Sequence, residues 1–365
     1  MPTWAIPTAR SPALGRAASK PHGAGPYTPR WACATSVETP RALGAGRFAF
    51  PRGATARNAR DDPLNYTTPV GRLPDTTVNI EGLWLLQALL GISRLTPELR
   101  GLPYGAARSD DWMIDNPGVA HLQEQGLVLD DGQVHPDLAE RLLALAVPDV
   151  ELVMVVSSGS IDWDSRGGTE PGQTPAALQV PDGQVRVVLA RRKGLWVSAV
   201  RARDEVTIDA APGGYTAAAA AVMINGLLDH VHPCGPSTMT AVTLPTDDLR
   251  SAAGAGPAQR VSVLSAAGLR GSALSEVLAA MEDPHAEAVL YGRAYSDIET
   301  YMSAAILNVR DSEQGRIVVY DMAPIRGASQ EWTMVSPATV PQLEAGVARV
   351  IGSVPIARWD DHIRS

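Results

Sequence analysis

The residue types that could do chemistry fall in a few places along the chain. His230, His232 and Cys234 in DHVHPC offer two imidazoles and a thiol, donors that suit a zinc-like ion. All three crowd onto one loop with no partner pair elsewhere in the sequence, so the expectation is surface residues and no metal. Asp162 and Asp164 in IDWDSRGG have the look of an acidic cation loop. The glutamate that should close such a loop is missing, which makes a solvated polar loop the better reading. Asp247-Asp248 and Asp360-Asp361 sit at a helix start and near the last residue, where carboxylates favour the helix dipole or solubility. GxSxG, GxxxxGK[ST], HExxH and a strand followed by GxGxxG are all absent. Trp84, Trp112, Trp196 and Trp332 are isolated aromatics in amphipathic elements and read as core. The expectation is a protein without catalytic, cofactor-binding or metal-binding residues, whose work is binding.

Composition narrows the class of partner. The chain has 365 residues, 45% of them hydrophobic, enough for one large or two small cores. Residues 1–73 hold ten Lys or Arg and three Asp or Glu, leaving 21 against 36 in the remainder. An acidic body repels phosphate backbones, which argues against nucleic acid. Two cysteines, Cys33 and Cys234, are too few for a disulfide framework. No window reaches the roughly 18 apolar residues of a membrane span, and no apolar run follows the first arginines as in a secretory signal. A cytoplasmic protein without membrane insertion is expected. Residues 1–73, rich in Pro, Gly, Ala, Ser and Arg, read as a disordered basic tail or as sequence upstream of the true start.

The elements that must position any site centre on Gln184–Ala210. There Val185, Val187 and Leu189 alternate with Arg186, Val188 and Ala190, and a turn at Arg192–Gly194 leads back through Leu195–Arg201 and on to Val206 and Ile208. This is a three-stranded antiparallel meander. Before it come a short strand at Val78–Glu81, a buried helix in LWLLQALLG, helix starts at Thr96-Pro97 and Asn116-Pro117, a helix at Pro136–Ala146 with Leu138, Leu142 and Leu145 on one stripe, and a strand at Glu151–Ser158. The 158–183 segment, loaded with Gly, Pro, Ser and Thr, reads as a binding loop. A helix at Tyr215–Asp229 follows.

The same order then recurs. Met239–Thr243 reads as a strand, three helices follow at Thr246–Ala253, Val261–Ala267 and Ser272–Met281, four strands at Ala286–Ala294, Met302–Val309, Gly315–Asp321 and Glu331–Val335, and a helix at Val340–Gly352 with Thr339 and Gln342 spaced as a capping box. Residue likeness supports the repeat: GLVLDDGQVHPDLAERLLALAVPDVELVM stands beside GLRGSALSEVLAAMEDPHAEAVL. The expected fold is α+β: a central, mainly antiparallel sheet shared by two pseudo-twofold halves, residues 74–232 and 233–365, flanked by two helical bundles. Alternative readings are an enzyme with a site between the halves and a homo-oligomeric scaffold built by sheet-edge pairing.

The segments VNIEGLWLLQALLGI, LTPELRGLPY, NPGVAHLQEQGLV, VRVVLARRKGLWVSAVR, GRIVVYDMAP and ATVPQLEAGVARVIGSVP resemble the EspG family of type VII (ESX) secretion systems, most closely its fifth-system member, over roughly residues 64–365. The resemblance implies a cytosolic chaperone that binds the apolar tip of the PPE subunit in a PE–PPE heterodimer, one chaperone to one pair, and is a monomer when free. It also implies a central sheet with two helical bundles. Carried onto this chain, the family's contacts fall on Trp163, Asp164, Arg166, Leu178 and Val180 in the long loop and on Ile298, Glu299, Tyr301 and Met302. Leu178 and Thr300 stand where the fifth-system relative has charged contacts.

Overall fold

A computed structural model describes residues 72–99, 116–161, 180–211, 213–282, 284–324 and 330–365. The expected tail up to Gly71, Trp112, and the loop residues from Asp162 to Gln179 fall outside this set; the last two tail residues are described, and Leu73 is held to the fold by its amide bond to Asp137 at 2.8 Å. In chain order the first ten elements are β1 (Thr76–Asn79), α1 (Ile80–Leu89), α2 (Pro117–Glu124), α3 (Pro136–Ala146), β2 (Val150–Ser158), β3 (Gln184–Arg192), β4 (Leu195–Ala202), β5 (Glu205–Ala210), α4 (Ala217–Val231) and β6 (Val242–Pro245). The next nine are α5 (Thr246–Gly254), α6 (Pro257–Ala266), α7 (Gly271–Glu282), β7 (Ala286–Tyr295), β8 (Thr300–Met302), β9 (Leu307–Ser312), β10 (Gly315–Asp321), β11 (Trp332–Pro337) and α8 (Val340–Gly352), with a 3₁₀ turn at Pro97–Leu99 after α1.

Among the described residues the strands form one eleven-stranded sheet in the order β1-β5-β4-β3-β2-β7-β9-β10-β11-β6, with β8 alongside β7. Each half supplies five strands to this path in matching order, the second half adding β8, and the halves meet where β2 and β7 pair antiparallel from Val150↔Ala294 to Ser158↔Ala286. Side chains alternate across the pleat, so this register sorts every residue to a face. Leu152, Met154 and Val156, with Val187, Leu189, Leu290, Leu307 and Val309, pack beneath α4 and α8. On the opposite face α1, α2 and α3 cover Val188, Ala190, Val197 and Ala199, and α5, α6 and α7 cover Ile317, Val319 and Val335. The meander is thus buried on both faces, with Trp196 and Val197 on opposite sides, as its alternation requires.

Local chemistry explains most boundaries. The β3–β4 turn is two residues, Lys193 and Gly194, both at positive φ, the geometry that matches strand twist in a tight hairpin. Asn79 ends β1 because its Oδ1 accepts the amide of Gly82 at 2.7 Å, which pulls Ile80 and Glu81 into α1 and out of the expected strand. Asn116 caps α2 as expected, whereas Thr96 starts only the 3₁₀ turn. Leu138, Leu142 and Leu145 are all fully buried, and each such side chain contributes roughly 1.5–3 kcal/mol.

Three expectations need correction. The strand expected at Met302–Val309 is two strands, because Ser303 turns back to Gly292 and residues 304–305 bond instead to Ser353 beyond α8. Thr339 makes no side-chain capping bond, and Gln342 accepts from the Tyr320 hydroxyl, so no capping box forms. The strand expected at Met239–Thr243 lies at Val242–Pro245, where it pairs with β11.

Gly315 holds the connection between the halves against the sheet. It has φ +110°, and a Cβ there would lie 2.6 Å from Ser237 Cα. The neighbouring Arg316 amide donates to Gly235 at 2.8 Å and its carbonyl accepts from Ser237 at 2.9 Å. Gly315→Ala is expected to lower the unfolding free energy by roughly 2–4 kcal/mol in urea denaturation. Gly226→Ala, in α4 with open space around it, should be neutral or stabilising by up to about 1 kcal/mol.

Candidate protein-binding surface

Between the two helical clusters, among the described residues, the sheet face above β2 and β7 carries a small buried apolar group, Val155, Ile161 and Val289, with Tyr291 and Ile306 beside it. Two connections frame this strip. The β2–β3 connection leaves at Ser158 and the β7–β8 connection at Tyr295, the opposite ends of a nine-residue pairing, about 27 Å apart at the rise of an extended strand. They occupy equivalent places in the two halves. Of the residues assigned to binding, Trp163, Asp164, Arg166 and Leu178 lie outside the described residues. Val180, at the foot of the long connection, is buried at 6% exposure. Ile298 stands at the β7–β8 tip with 90% of its surface exposed, and Glu299 beside it is exposed as well.

Tyr301 and Met302 do not share a face. Tyr301 pairs with Ala294 and is half-buried against the core beneath α4 and α8. Met302 pairs with Arg293 on the strip side and is 38% exposed. The sequence groups these residues by proximity in the chain; the pleat separates them.

The exposed tip is held from below. Ser296 Oγ accepts the amides of Ile298 and Glu299 at 3.4 and 3.0 Å. The last residues of the chain then act as a strap. Trp359 is buried and packs over Gly292, Arg191 donates to the carbonyls of Asp360 and His362, and the Arg364 amide reaches Asp149 Oδ1 at 3.0 Å. From that strap His362 Nε2 bonds the Tyr295 carbonyl at 2.8 Å, and the Ser365 carbonyl accepts the Asp297 amide at 3.0 Å. No periodicity or motif announces these last seven residues as tip supports.

Sequence reading also passed over a buried ionic network beneath the tip. Glu98 of the 3₁₀ turn receives both terminal nitrogens of the Arg293 guanidinium, and the Tyr291 hydroxyl donates to it at 2.6 Å. Glu151, fully buried, accepts from the Tyr295 hydroxyl and lies 3.5 Å from Arg293, while its Oε1 has no partner. One guanidinium therefore serves two carboxylates, one from the first half's helical cluster and one from its sheet. Burial pushes Glu151 up to about 7, against the pull of Tyr295 and Arg293, with the Glu98 charge adding to the rise. Burial also raises Glu98, but its Arg293 bonds and charge outweigh that and leave it below the usual carboxylate value.

The remaining candidates resolve simply. Asp247 and Asp248 occupy the first turn of α5. Trp196 is buried, and Trp84 and Trp332 are partly exposed. His230 is exposed, but His232 and Cys234 meet a residue from far along the chain, Asp311 of β9.

The same fold and the same stretch of sequence occur in known proteins. A family model described as the EspG family matches residues 79–349. The chain belongs to the EspG family. Its relatives include the ESX-5 secretion-associated protein EspG5 of Mycobacterium marinum (strain ATCC BAA-535 / M), 37% identical over 295 residues, covering 80% of this chain and 97% of the relative. EspG5 of Mycobacterium tuberculosis (strain ATCC 25618 / H37Rv) is 36% identical over the same length and shares. Among solved structures, the Mycobacterium tuberculosis type VII secretion system chaperone EspG5, in complex with a PE25–PPE41 dimer, matches with TM-score 0.69 and 32% identity over 79% of this chain and all of that one.

Glu151 gives this EspG-family sheet a specific pH dependence. Its folded value lies above its ordinary 4.5, so the stability it contributes is fully present below that pH and is lost as pH rises through about 7. Glu98 acts in a separate window, its contribution being present above its ordinary value and lost in more acid solution. Glu151→Gln is expected to flatten the fall in unfolding free energy between about pH 5 and 8 and to raise stability at pH 8 by on the order of 1–3 kcal/mol. Denaturation midpoints across that range check it; an unchanged slope would refute the assignment.

Proposed function

We propose that this chain is a secretion chaperone of an ESX system that covers the apolar tip of the PPE subunit in a PE–PPE heterodimer, in a 1:1:1 complex. It keeps the pair soluble in the cytoplasm and performs no bond-making chemistry. The observation that carries this reading is the match, over 79% of this chain and the whole of the other, to a chaperone solved together with a PE–PPE dimer. The surface supports it. The isoleucine exposed at 90% and Met302 beside it give the β7–β8 tip an apolar surface on which an apolar end of another protein can be desolvated, and the buried residues of the strip and of the foot of the long connection support it. Trp163, Asp164, Arg166 and Leu178 supply one side of the contact, and Ile298, Glu299 and Met302 the other; Val180 and Tyr301, which pack inward, support the contact without making it. No described helix is long and apolar enough to cross a membrane. Edge pairing into a scaffold is disfavoured, because the outermost strands β1 and β6 are only four residues each.

Co-expression with a PE–PPE pair tests the proposal by co-purification at equal stoichiometry. Ile298→Asp and Met302→Asp place a charge in the contact without touching the core and should each weaken capture at least tenfold while leaving the melting temperature within a few degrees. Tyr301→Asp should instead destabilise the chain, since Tyr301 packs against the core. Capture at wild-type strength by both surface variants would displace the proposed contact.

A further inference from the structure

We propose that His232, Cys234 and Asp311 form a binding site for a zinc-class divalent cation, which fastens the connection between the two halves to the end of β9. The three side chains offer nitrogen, sulfur and oxygen, and the donor atoms all lie within 4.8 Å of one another. His232 Nδ1 is 3.4 Å from Asp311 Oδ2. Donors bound to one tetrahedral zinc at roughly 2.0–2.3 Å stand about 3.3–3.7 Å apart, so small side-chain rotations close the site. A mixed N/S/O set suits zinc; magnesium and calcium prefer oxygen alone, and copper(I) prefers more sulfur.

The backbone beneath these donors is built into the fold. His232 caps the end of α4, its amide donating to Leu228 at 2.7 Å. Residues 235–237 are bonded to Arg316 on both sides, which places Cys234 between two anchored segments. Asp311 lies on β9, fully buried, and its backbone carbonyl accepts the His285 amide at 2.9 Å. The His285 ring stacks on His232 with centroids 5.0 Å apart and fixes that imidazole's plane. His232 remains about a third exposed, which leaves an entry path and a fourth position for water.

Charge and valence allow the ion. Arg316 binds Asp311 Oδ1 through Nε at 2.7 Å and Oδ2 through Nη2 at 2.9 Å. Each carboxylate oxygen has two acceptor directions, so Oδ2 keeps one for a ligand bond. Arg316 also pairs with Asp229 at 2.9 Å. Two carboxylates against one guanidinium leave a net single negative charge, and a thiolate raises it to two, the charge a divalent ion neutralises. On binding, the Cys234 thiol gives its proton to solvent, and His232 binds as the neutral imidazole.

The site lies on the α4 side of the sheet, away from the strip and the β7–β8 tip, so it stands or falls independently of client binding. Tag-free full-length protein, stripped with a chelator and titrated with zinc chloride, should take up one equivalent. Cobalt(II) in its place should show a thiolate-to-cobalt charge-transfer band. Both signals should persist in Cys33→Ser, which removes the other cysteine. Cys234→Ser should abolish the band, and His232→Asn should weaken zinc binding at least tenfold, both variants keeping wild-type circular dichroism. Failure of the wild type to bind, or undiminished zinc and cobalt signals in Cys234→Ser and His232→Asn, would overturn the proposal.

Discussion

The pairing of β2 with β7 is the constraint on which the rest of the molecule depends. Each half alone is a sheet with a long, apolar outer strand, and such an edge is a template for aggregation. Joining the two long strands removes both hazards at once and leaves only four-residue strands outside. The register of that joint places Leu152, Met154 and Val156 under α4 and α8 and turns Glu151, Val153 and Val155 the other way. A one-residue slip would exchange the two sets and drive the carboxylate into the apolar core.

The two halves differ around this axis in their buried carboxylates. Glu151 and Glu287 are both the second residue of their strands and both buried. Glu287 is fully occupied: Arg310 donates twice, at 3.0 and 2.8 Å, and Asn308 and the Ile161 amide donate at 2.9 Å. That carboxylate anchors the start of the long connection. Glu151 shares one arginine with Glu98 and leaves an oxygen unpaired, a state that favours its proton near neutrality. One half thus holds a carboxylate with every oxygen bonded and the other a carboxylate with an unpaired oxygen, at opposite ends of the same strip.

A binding role suits this construction. The sheet, the network beneath it and the terminal strap hold the β7–β8 tip before any partner arrives, so little ordering entropy remains to be lost on association. Its exposed isoleucine is mounted on a hairpin tied to three other parts of the chain. Binding residues commonly sit on loops that a rigid scaffold positions, and this scaffold fixes where its loops stand.

Much of this was legible in the chain itself. Period-two alternation gave the meander and both its faces, the apolar stripe gave α3, and the recurrence of strand, helices, four strands and helix gave two halves sharing one sheet, because local side-chain pattern is a direct record of which face is buried. The family, too, was readable from linear segments. What linear order does not encode is proximity between distant residues. Met302 and Tyr301 look equivalent until the pleat puts them on opposite faces, Glu98 and Arg293 meet only because the 3₁₀ turn and β7 of the second half come together, and the final residues reach the tip only through the tertiary fold. His232 and Cys234 lacked a partner in sequence, and Asp311 arrives beside them solely through the pairing of β9 within the shared sheet. Repeating patterns specify the elements; single long-range charges and donors acquire meaning when tertiary packing brings them together.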